Sequence, residues 1–334
     1  MESRMAWEWL KHWWEDPAKQ SVAGYLAGKE DDCSTSAAIK PRAQYFSVAV
    51  ECMRIVLERE GPRKFFGAVT GRIGFNSTDG PDAITLVISP EALKGVDRGD
   101  LGRIVVQSVP LCEKLPYIGE SLDLRLALMS LQGEDLLVGI VDVLSSVAKA
   151  AGIGFVEQAK AFLAPIENGI ALLSRQGGTE IGIYKVITEP RTGYYCVARA
   201  PSTRLDLAKS KLSANWELMD QNGRLVSDIP YLILRIAAHD KKENFASIPS
   251  IRSAYERMRK SALEGKEKEA REAFEFFRRT VIWSDDLLDH DRRPMVEWAR
   301  KNLEDTFPAK EERKRTVGVV GKSRAFPKLE TLRL

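Results

Sequence analysis

The spacing of apolar residues changes along the chain and divides it into regions of different secondary structure. Between 44 and 240, short runs rich in β-branched and aromatic residues are separated by clusters of Gly, Pro, Asp and Asn, which is typical of antiparallel strands. Within that region, from 134 to 174, apolar residues instead recur at every third or fourth position, and this spacing predicts helices. The helical spacing returns between 248 and 306. Together these patterns predict an α+β fold.

Nine or ten strands are predicted between 44 and 240. The clearest runs are 45–50, 65–75, 83–89, 103–108, 122–131, 180–187, 194–198 and 231–236. The first of them also fits a helix that continues to Leu57. The Asn222-Gly223 pair predicts a hairpin, because it is the strongest short hairpin signal. With a two-helix insertion over 134–174, these strands predict an antiparallel β-sandwich.

Three helices are predicted between 248 and 306, the first two forming a helical hairpin. Ser250 can cap the first helix, Gly265 ends it, and the third helix starts at Pro294. The apolar faces consist of Ile251, Ala254, Tyr255, Met258 and Ala262 on the first helix, Ala270, Ala273, Phe274, Phe277 and Val281 on the second, and Val296, Ala299 and Leu303 on the third.

The segment 1–17 predicts an amphipathic helix that is rich in tryptophan. Four of the chain's seven tryptophans lie in its first fifteen residues. At 3.6 residues per turn the apolar side chains cover an arc of about 200°, and Pro17 ends the helix. The polar stretch that follows, 18–43, is interpreted as a linker. The residues expected to dock are Trp7, Trp9, Leu10, Trp13 and Trp14.

This N-terminal helix needs a surface to cover its apolar face. Each tryptophan can bury about 150–250 Å², whereas the largest exposed apolar patch of an ordinary monomer is about 300–600 Å². The polar face is balanced, with Arg4 and Lys11 opposed by Glu8 and Glu15, unlike the basic face of most membrane-surface helices. A length of about 18 Å is too short to span a bilayer. We therefore expect the helix to dock on its own chain or on a protein partner.

The positive charge of the chain is concentrated at its C-terminal end. The net charge is +3, but 307–334 contain eight Lys or Arg and three Glu, which leaves the remaining chain at −2. Nucleic-acid binding would use such a cluster through phosphate contacts. Because no aromatic residue lies inside the cluster, we expect a solvated or docking tail instead. The cluster consists of Lys310, Arg313, Lys314 and Arg315.

An acidic run is the most prominent motif with potential chemistry. Asp285, Asp286 and Asp289 follow the D-D-x-x-D pattern that resembles the magnesium motif of terpene synthases and prenyltransferases. Carboxylates at i and i+4 of a helix converge and suit a hard cation. Those enzymes need a second metal motif on another helix of a large all-helical bundle, and only 43 residues follow Asp291. The favoured interpretation is a solvated turn that caps a helix, with a metal site as the alternative.

The cysteine spacing, the absence of recognised targeting segments and the P-loop-like run exclude classes of protein rather than indicate one. The four cysteines are scattered, without a C-x-x-C pair, and no export signal or membrane-spanning stretch is recognised, so reduced thiols in a cytoplasm are expected. The P-loop-like run 318–323 has Thr316 where that motif requires glycine. No cofactor is expected, and no small-molecule ligand can be named.

The arrangement of the strands resembles that of C2-like β-sandwich domains over about 45–237, including those of bacterial conflict and defence systems. The resemblance rests on the strand count and on the Tyr194-Tyr195 strand that follows the 190–193 turn. Calcium-binding members use clustered aspartates in two loops. This chain offers only Asp79, Asp82, Asp97 and Asp100, too few to imply a calcium site.

These observations predict a non-enzymatic protein-interaction protein, an adaptor or regulatory subunit of a cytoplasmic multi-protein system. If the C2-like resemblance holds, bacterial defence is the setting that it implies. Two alternatives stay open: a membrane-associating effector that uses the N-terminal helix, and a metal-dependent enzyme that uses the acidic run.

Overall fold

The computed structural model describes residues 21–32, 36–54, 59–60, 63–75, 83–88, 105–119, 121–132, 178–243, 245–308 and 326–333. They fall into two compact units. The first unit comprises the described residues of 1–41, 46–115 and 119–238, and the second comprises those of 42–45, 116–118 and 239–334. The predicted N-terminal helix and the predicted insertion over 134–174 lie outside the described residues.

The fold is mixed α+β, as the sequence predicts, and its strands are antiparallel wherever their pairing is described. The strands are β1 (Val22–Tyr25), β2 (Tyr45–Arg54), β3 (Arg59–Glu60), β4 (Arg63–Phe75), β5 (Ala83–Ile88), β6 (Val105–Pro116), β7 (Leu122–Gln132), β8 (Gly178–Ile187), β9 (Gly193–Ala198), β10 (Lys211–Leu212), β11 (Leu218–Met219) and β12 (Tyr231–His239).

These strands form two five-stranded sheets and a two-stranded ribbon. One sheet has the order β1-β9-β12-β2-β6, and the ribbon pairs β10 with β11. The other has the order β3-β4-β7-β8, with β5 added to β4, and its β7–β8 register shifts between Leu128 and Met129. The single sandwich of nine or ten strands stays a prediction.

The first sheet is buried on both faces. On one face Tyr194, Cys196, Tyr231 and Ile233 form a core with side chains from the 205–229 segment. Residues at the alternate positions of β9 and β12 are buried as well; they are Tyr195, Val197, Leu232, Leu234 and Ile236. Because successive side chains of a strand point to opposite faces, burial on both sides explains why these strands are mostly apolar, with the exposed Arg235 as the exception within the buried part of β12.

Two predictions for this unit need correction. The segment interpreted as a linker, 18–43, contributes β1, which pairs with β9 from Val22↔Ala198 to Tyr25↔Tyr195. The hairpin predicted at Asn222-Gly223 forms, but it is shorter than predicted: one antiparallel bridge, Met219↔Leu225, joins its arms, and β11 pairs with β10 as well. A local turn signal specifies the turn, whereas strand partners are chosen by contacts distant in sequence.

The second unit contains the helices α1 (Pro249–Leu263), α2 (Glu267–Ile282) and α3 (Asp289–Thr306). Three helices in this region are confirmed, and the buried residues of α1 and α2 are those predicted from the spacing. A short loop with Gly265 at φ 72° joins α1 to α2, a left-handed conformation that glycine adopts without strain.

Two helix starts differ from the predictions. The N-cap of α1 is Ile248, with Pro249 in the first turn, rather than Ser250. Proline suits that position because the first-turn N–H groups have no helical acceptor. The third helix starts at Asp289, and Pro294 lies inside it. Arg292 holds the early turn, since its guanidinium binds Asp289 at 2.8 Å and the Ser284 carbonyl at 2.7 Å.

The end of the predicted basic tail is packed rather than free. Phe326 and Leu329 are buried, and the Tyr255 hydroxyl donates a hydrogen bond of 2.9 Å to the Pro327 carbonyl. Residues 326–333 of the tail predicted over 307–334 therefore dock on the helical unit, which is one of the two outcomes predicted for it. The cluster from Lys310 to Arg315 lies outside the described residues.

Candidate functional site

Asp291 is the centre of a buried polar cluster in the second unit. Its side chain is 3% exposed, and its Oδ2 accepts a 2.6 Å hydrogen bond from the Tyr45 hydroxyl. The same hydroxyl accepts the Leu288 N–H at 2.9 Å. The buried Lys242 places its Nζ 5.7 Å from the centre of the Tyr45 ring. This cluster ties the start of β2 to the start of α3 within the unit.

Burial decides the protonation of the tyrosine. Desolvation raises the pKa of Tyr45 well above its usual value, and the hydrogen bond to Asp291 raises it further. The hydroxyl therefore keeps its proton at neutral pH and acts as a donor to the carboxylate. An acid–base role would need a pKa closer to the working pH, so the cluster is suited to holding structure.

The predicted acidic residues are brought to different environments. Asp285 and Asp286 lie in the turn before α3, the first exposed and the second buried, whereas Asp289 opens the helix. Asp285 and Asp289 therefore do not lie on one helix, and the convergence expected for carboxylates at i and i+4 is absent. Asp289 is 83% exposed and pairs with Arg292.

The turn itself is held by local bonds. The Asp286 N–H donates to the Ser284 hydroxyl at 3.2 Å, so Ser284 closes a turn instead of capping a helix. His290 makes a 2.8 Å hydrogen bond through Nε2 with the Asp240 carbonyl. In the part of the chain that the structure describes, no three His, Cys, Asp or Glu side chains form a group that could hold a metal ion.

A second polar-aromatic cluster lies in the first unit. The Trp216 ring packs edge-on against Tyr194, with centroids 5.7 Å apart, and lies 5.0 Å from the Lys29 Nζ. The Tyr194 hydroxyl donates to Asp32 at 2.9 Å. These contacts hold the segment after β1 on the sheet. Trp216 has a φ of 66°, an unusual conformation for a bulky residue that this packing stabilises.

The buried cysteines are unsuited to nucleophilic chemistry. Cys52, Cys112 and Cys196 are buried, and desolvation is the main cause that raises the pKa of both the Cys52 and Cys196 thiols. Because the thiolate is the reactive form, these groups behave as small apolar side chains. The Cys52 thiol donates a hydrogen bond of 3.3 Å to the Trp216 carbonyl.

The exposed feature that stands out lies on the first two helices. Trp283 is 80% exposed and Phe276 is 47% exposed, although neighbouring Phe277 is fully buried. The Arg257 guanidinium of α1 lies 5.8 Å from the centre of the Phe276 ring. We call the set Arg257, Lys260, Phe276, Arg279 and Trp283 the α1–α2 surface.

The helical period explains why these aromatics are outside. Consecutive residues of a helix point about 100° apart, so Phe277 faces the core while Phe276 faces solvent. Trp283 is seven residues further on and returns to nearly the same direction, at the C-cap of α2. The sequence prediction missed this surface. The available signal was two aromatic residues, seven apart, off the predicted buried face.

No family model, curated protein or solved structure matches the chain. None of the helices in the described ranges has the length and apolar character needed to cross a membrane. The α1–α2 surface is the candidate functional site, since the polar clusters above are occupied by contacts within their own units.

Proposed function

We propose that this protein is a non-enzymatic interaction subunit, an adaptor or regulator, in a cytoplasmic multi-protein system. The observation that carries the proposal is the exposure of Trp283 and Phe276 beside Arg257 on a helical unit with a well-formed core. Tryptophan and arginine dominate the energetics of protein interfaces, because both bury large surfaces and make directed contacts. Solvent is a costly environment for an indole without a partner.

Other parts of the chain would contribute to the same role. The N-terminal helix, with Trp9 and Trp13 at its centre, is proposed as a second docking element. We also propose that the strands form a β-sandwich, that this sandwich is related to C2-like domains, and that the protein acts in bacterial defence. Membrane association is the rival, because an exposed tryptophan next to arginines also suits a lipid interface.

Quantitative affinity capture from the native cells tests the proposal. The bait is the full-length chain, compared with the double variant F276S/W283S. Leu263→Ser is the matched control, because Leu263 is also an exposed apolar residue but lies at the opposite end of the hairpin. We expect one protein to be retained by the wild type and by L263S, and to fall at least about tenfold with the double variant, equivalent to about 1.4 kcal/mol.

The result that would overturn the proposal is an unchanged set of captured proteins with F276S/W283S. Sedimentation with vesicles of phosphatidylcholine and phosphatidylglycerol examines the rival. Sedimentation of the wild type that is lost in the double variant, without a retained protein, replaces the proposal with membrane association. Circular dichroism of all variants checks that the helices remain folded.

A further inference from the structure

We propose that the α1–α2 surface binds an acidic amphipathic helix of the partner protein. This inference rests on the proposed function and specifies the chemistry of its partner. Three properties of the surface carry it: the spacing of the two aromatics, the unpaired cations around them, and the contact that covers one face of Phe276.

The aromatic spacing matches a helical partner. Phe276 and Trp283 are seven residues apart, which is two turns or about 10.5 Å along the axis of α2. A partner helix that lies along α2 presents its own apolar residues at i and i+7 with the same separation, as in helix-in-groove recognition.

The arginines elsewhere on α2 and α3 show what is unusual here. Several have a carboxylate partner on their own helix, namely Arg271 with Glu267, Arg278 with Glu275, Arg292 with Asp289 and Arg300 with Glu297. Such local pairs neutralise the charge of an exposed helix face. These arginines leave little charge for a partner to complement.

The two arginines of the α1–α2 surface lack that local compensation. Among the residues that the structure describes, no carboxylate forms a salt bridge with Arg257 or Arg279, whereas Lys260 interacts electrostatically with Glu264. The carboxylates one turn away are paired with other cations, Glu256 with Arg259, Glu264 with Lys266 and Glu275 with Arg278. Arg279 donates instead to the Glu275 carbonyl at 3.3 Å.

The charge that remains on the surface is positive. Arg257 and Arg279 stand against Glu272, which lies one turn before Phe276, so these three residues leave a net charge of +1. A partner helix with carboxylates flanking its apolar residues complements this charge, which favours the correct partner and speeds association. A basic or neutral helix would leave the two arginines without carboxylate partners.

The contact of Arg257 with Phe276 favours a protein over single-stranded nucleic acid. Aromatic residues that bind nucleic acid offer a free ring face on which a base stacks. The Arg257 guanidinium lies over one face of the Phe276 ring, 5.8 Å from its centre, so that face is not free for a base. Aliphatic side chains of a helix fit that arrangement.

Selection from a display library of random peptides tests the inference without a known ligand. Peptides of about 16 residues are long enough for more than four helical turns. They are selected on the full-length chain and on L263S, with counter-selection on F276S/W283S. We expect the enriched peptides to have net negative charge and apolar residues at i, i+3 or i+4, and i+7.

A charge swap then tests the contact directly. Arg257→Glu should weaken binding of an enriched acidic peptide at least about tenfold, and a peptide with Lys in place of Glu should recover binding to R257E only. Arg300→Glu is the control, because Arg300 is an exposed arginine with a local carboxylate partner. This control should leave the affinity unchanged.

The outcomes separate the inference from the proposed function. Enriched peptides that are neutral or basic, yet depend on Phe276 and Trp283, overturn the acidic partner and leave the interaction role standing. Absence of peptide enrichment, together with an unchanged set of proteins captured by F276S/W283S, overturns both. Binding of an oligothymidine probe or of the vesicles that depends on the same two residues also overturns the acidic helix.

Discussion

Two groups in the second unit, the Asp291 cluster and the α1–α2 surface, are close in sequence and opposite in environment. Asp291, eight residues after Trp283, is charged but buried. Trp283 is apolar and almost fully exposed. Burial of a carboxylate requires hydrogen-bond partners, which the Tyr45 hydroxyl supplies. Exposure of an indole has no such internal explanation, and a binding partner supplies one.

This contrast indicates which residues of the chain are available for function. The acidic run contains the residues with the richest chemistry, yet Asp289 serves to start α3, and Asp291, two residues further on, binds the Tyr45 hydroxyl. Buried charges that are paired and hydrogen-bonded hold a particular arrangement more often than they add stability. The residues that the core leaves out are the better candidates for recognition.

The largest expected effect separates two neighbouring phenylalanines. Phe277→Ala should lower the free energy of unfolding by about 3–5 kcal/mol, because it opens a cavity in the helical core. Phe276→Ala should change it by less than about 1 kcal/mol, because half of that ring is already in water. Urea denaturation followed by circular dichroism measures both. Equal losses would show that Phe276 belongs to the core and would remove it from the α1–α2 surface.

The next effect separates two aspartates of the acidic run. Asp291→Ala should cost about 3 kcal/mol, because it leaves the buried Tyr45 hydroxyl without its acceptor. Asp289→Ala removes only an exposed pair with Arg292 and should cost about 0.5 kcal/mol or less. Thermal unfolding of the two variants compares them. A milder effect of D291A than of D289A would contradict the structural role of the buried cluster.

Two tryptophans provide a smaller contrast. Trp298 stacks on Tyr255 with centroids 5.5 Å apart, and Trp298→Ser should cost about 1–3 kcal/mol through lost packing. Trp283→Ser should cost less than about 0.5 kcal/mol, since its ring lies in solvent. Chemical denaturation of the full-length variants measures the two changes in the free energy of unfolding. A loss above 1 kcal/mol for W283S would mean that the indole supports the fold rather than a partner.

The smallest effect concerns a partly exposed carboxylate in the first unit, Asp220. Hydrogen bonds from the backbone N–H groups of Arg224 and Asn222 lower the pKa of Asp220. A lowered pKa stabilises the turn at pH values above the unfolded pKa of about 3.9, and this contribution is lost as the pH falls through the lower folded value.

Amide hydrogen exchange measures that turn. We expect protection of the Arg224 amide to fall at acidic pH in the wild type and to be low at all pH values in Asp220→Ala. The fall at acidic pH should be absent in that variant. Equal protection in the two proteins at neutral pH would show that the carboxylate does not hold the turn, while the Asp291 cluster should be unaffected in either case.

Much of the fold was accessible from local patterns. The buried faces of α1 and α2 follow from apolar residues at helical spacing, and most strands appear where β-branched runs were found. The start of α3 was misplaced because Pro294 suggested a boundary, whereas Arg292 stabilises the turn before it. The recruitment of β1 from the predicted linker was not visible, since it depends on pairing with β9, far along the chain.

The candidate site was harder to predict from the sequence, for the same reason. Asp285, Asp286 and Asp289 could be recognised as a motif, but their separation into exposed and buried positions depends on contacts such as that between Tyr45 and Asp291, 246 residues apart. Phe276 and Trp283 could be assigned to the outer face of a helix. Their exposure in the folded unit could be recognised only from the tertiary structure.

The class of the fold, the three C-terminal helices and the faces that two of them bury follow from local patterns in the sequence, because backbone geometry sets periods of 2 and 3.6 that apolar residues follow. Tertiary contacts set which carboxylate is buried with Tyr45, which cations remain unpaired, and which aromatics are left in solvent. Those outcomes depend on neighbours brought together by folding, which local periodicity does not specify.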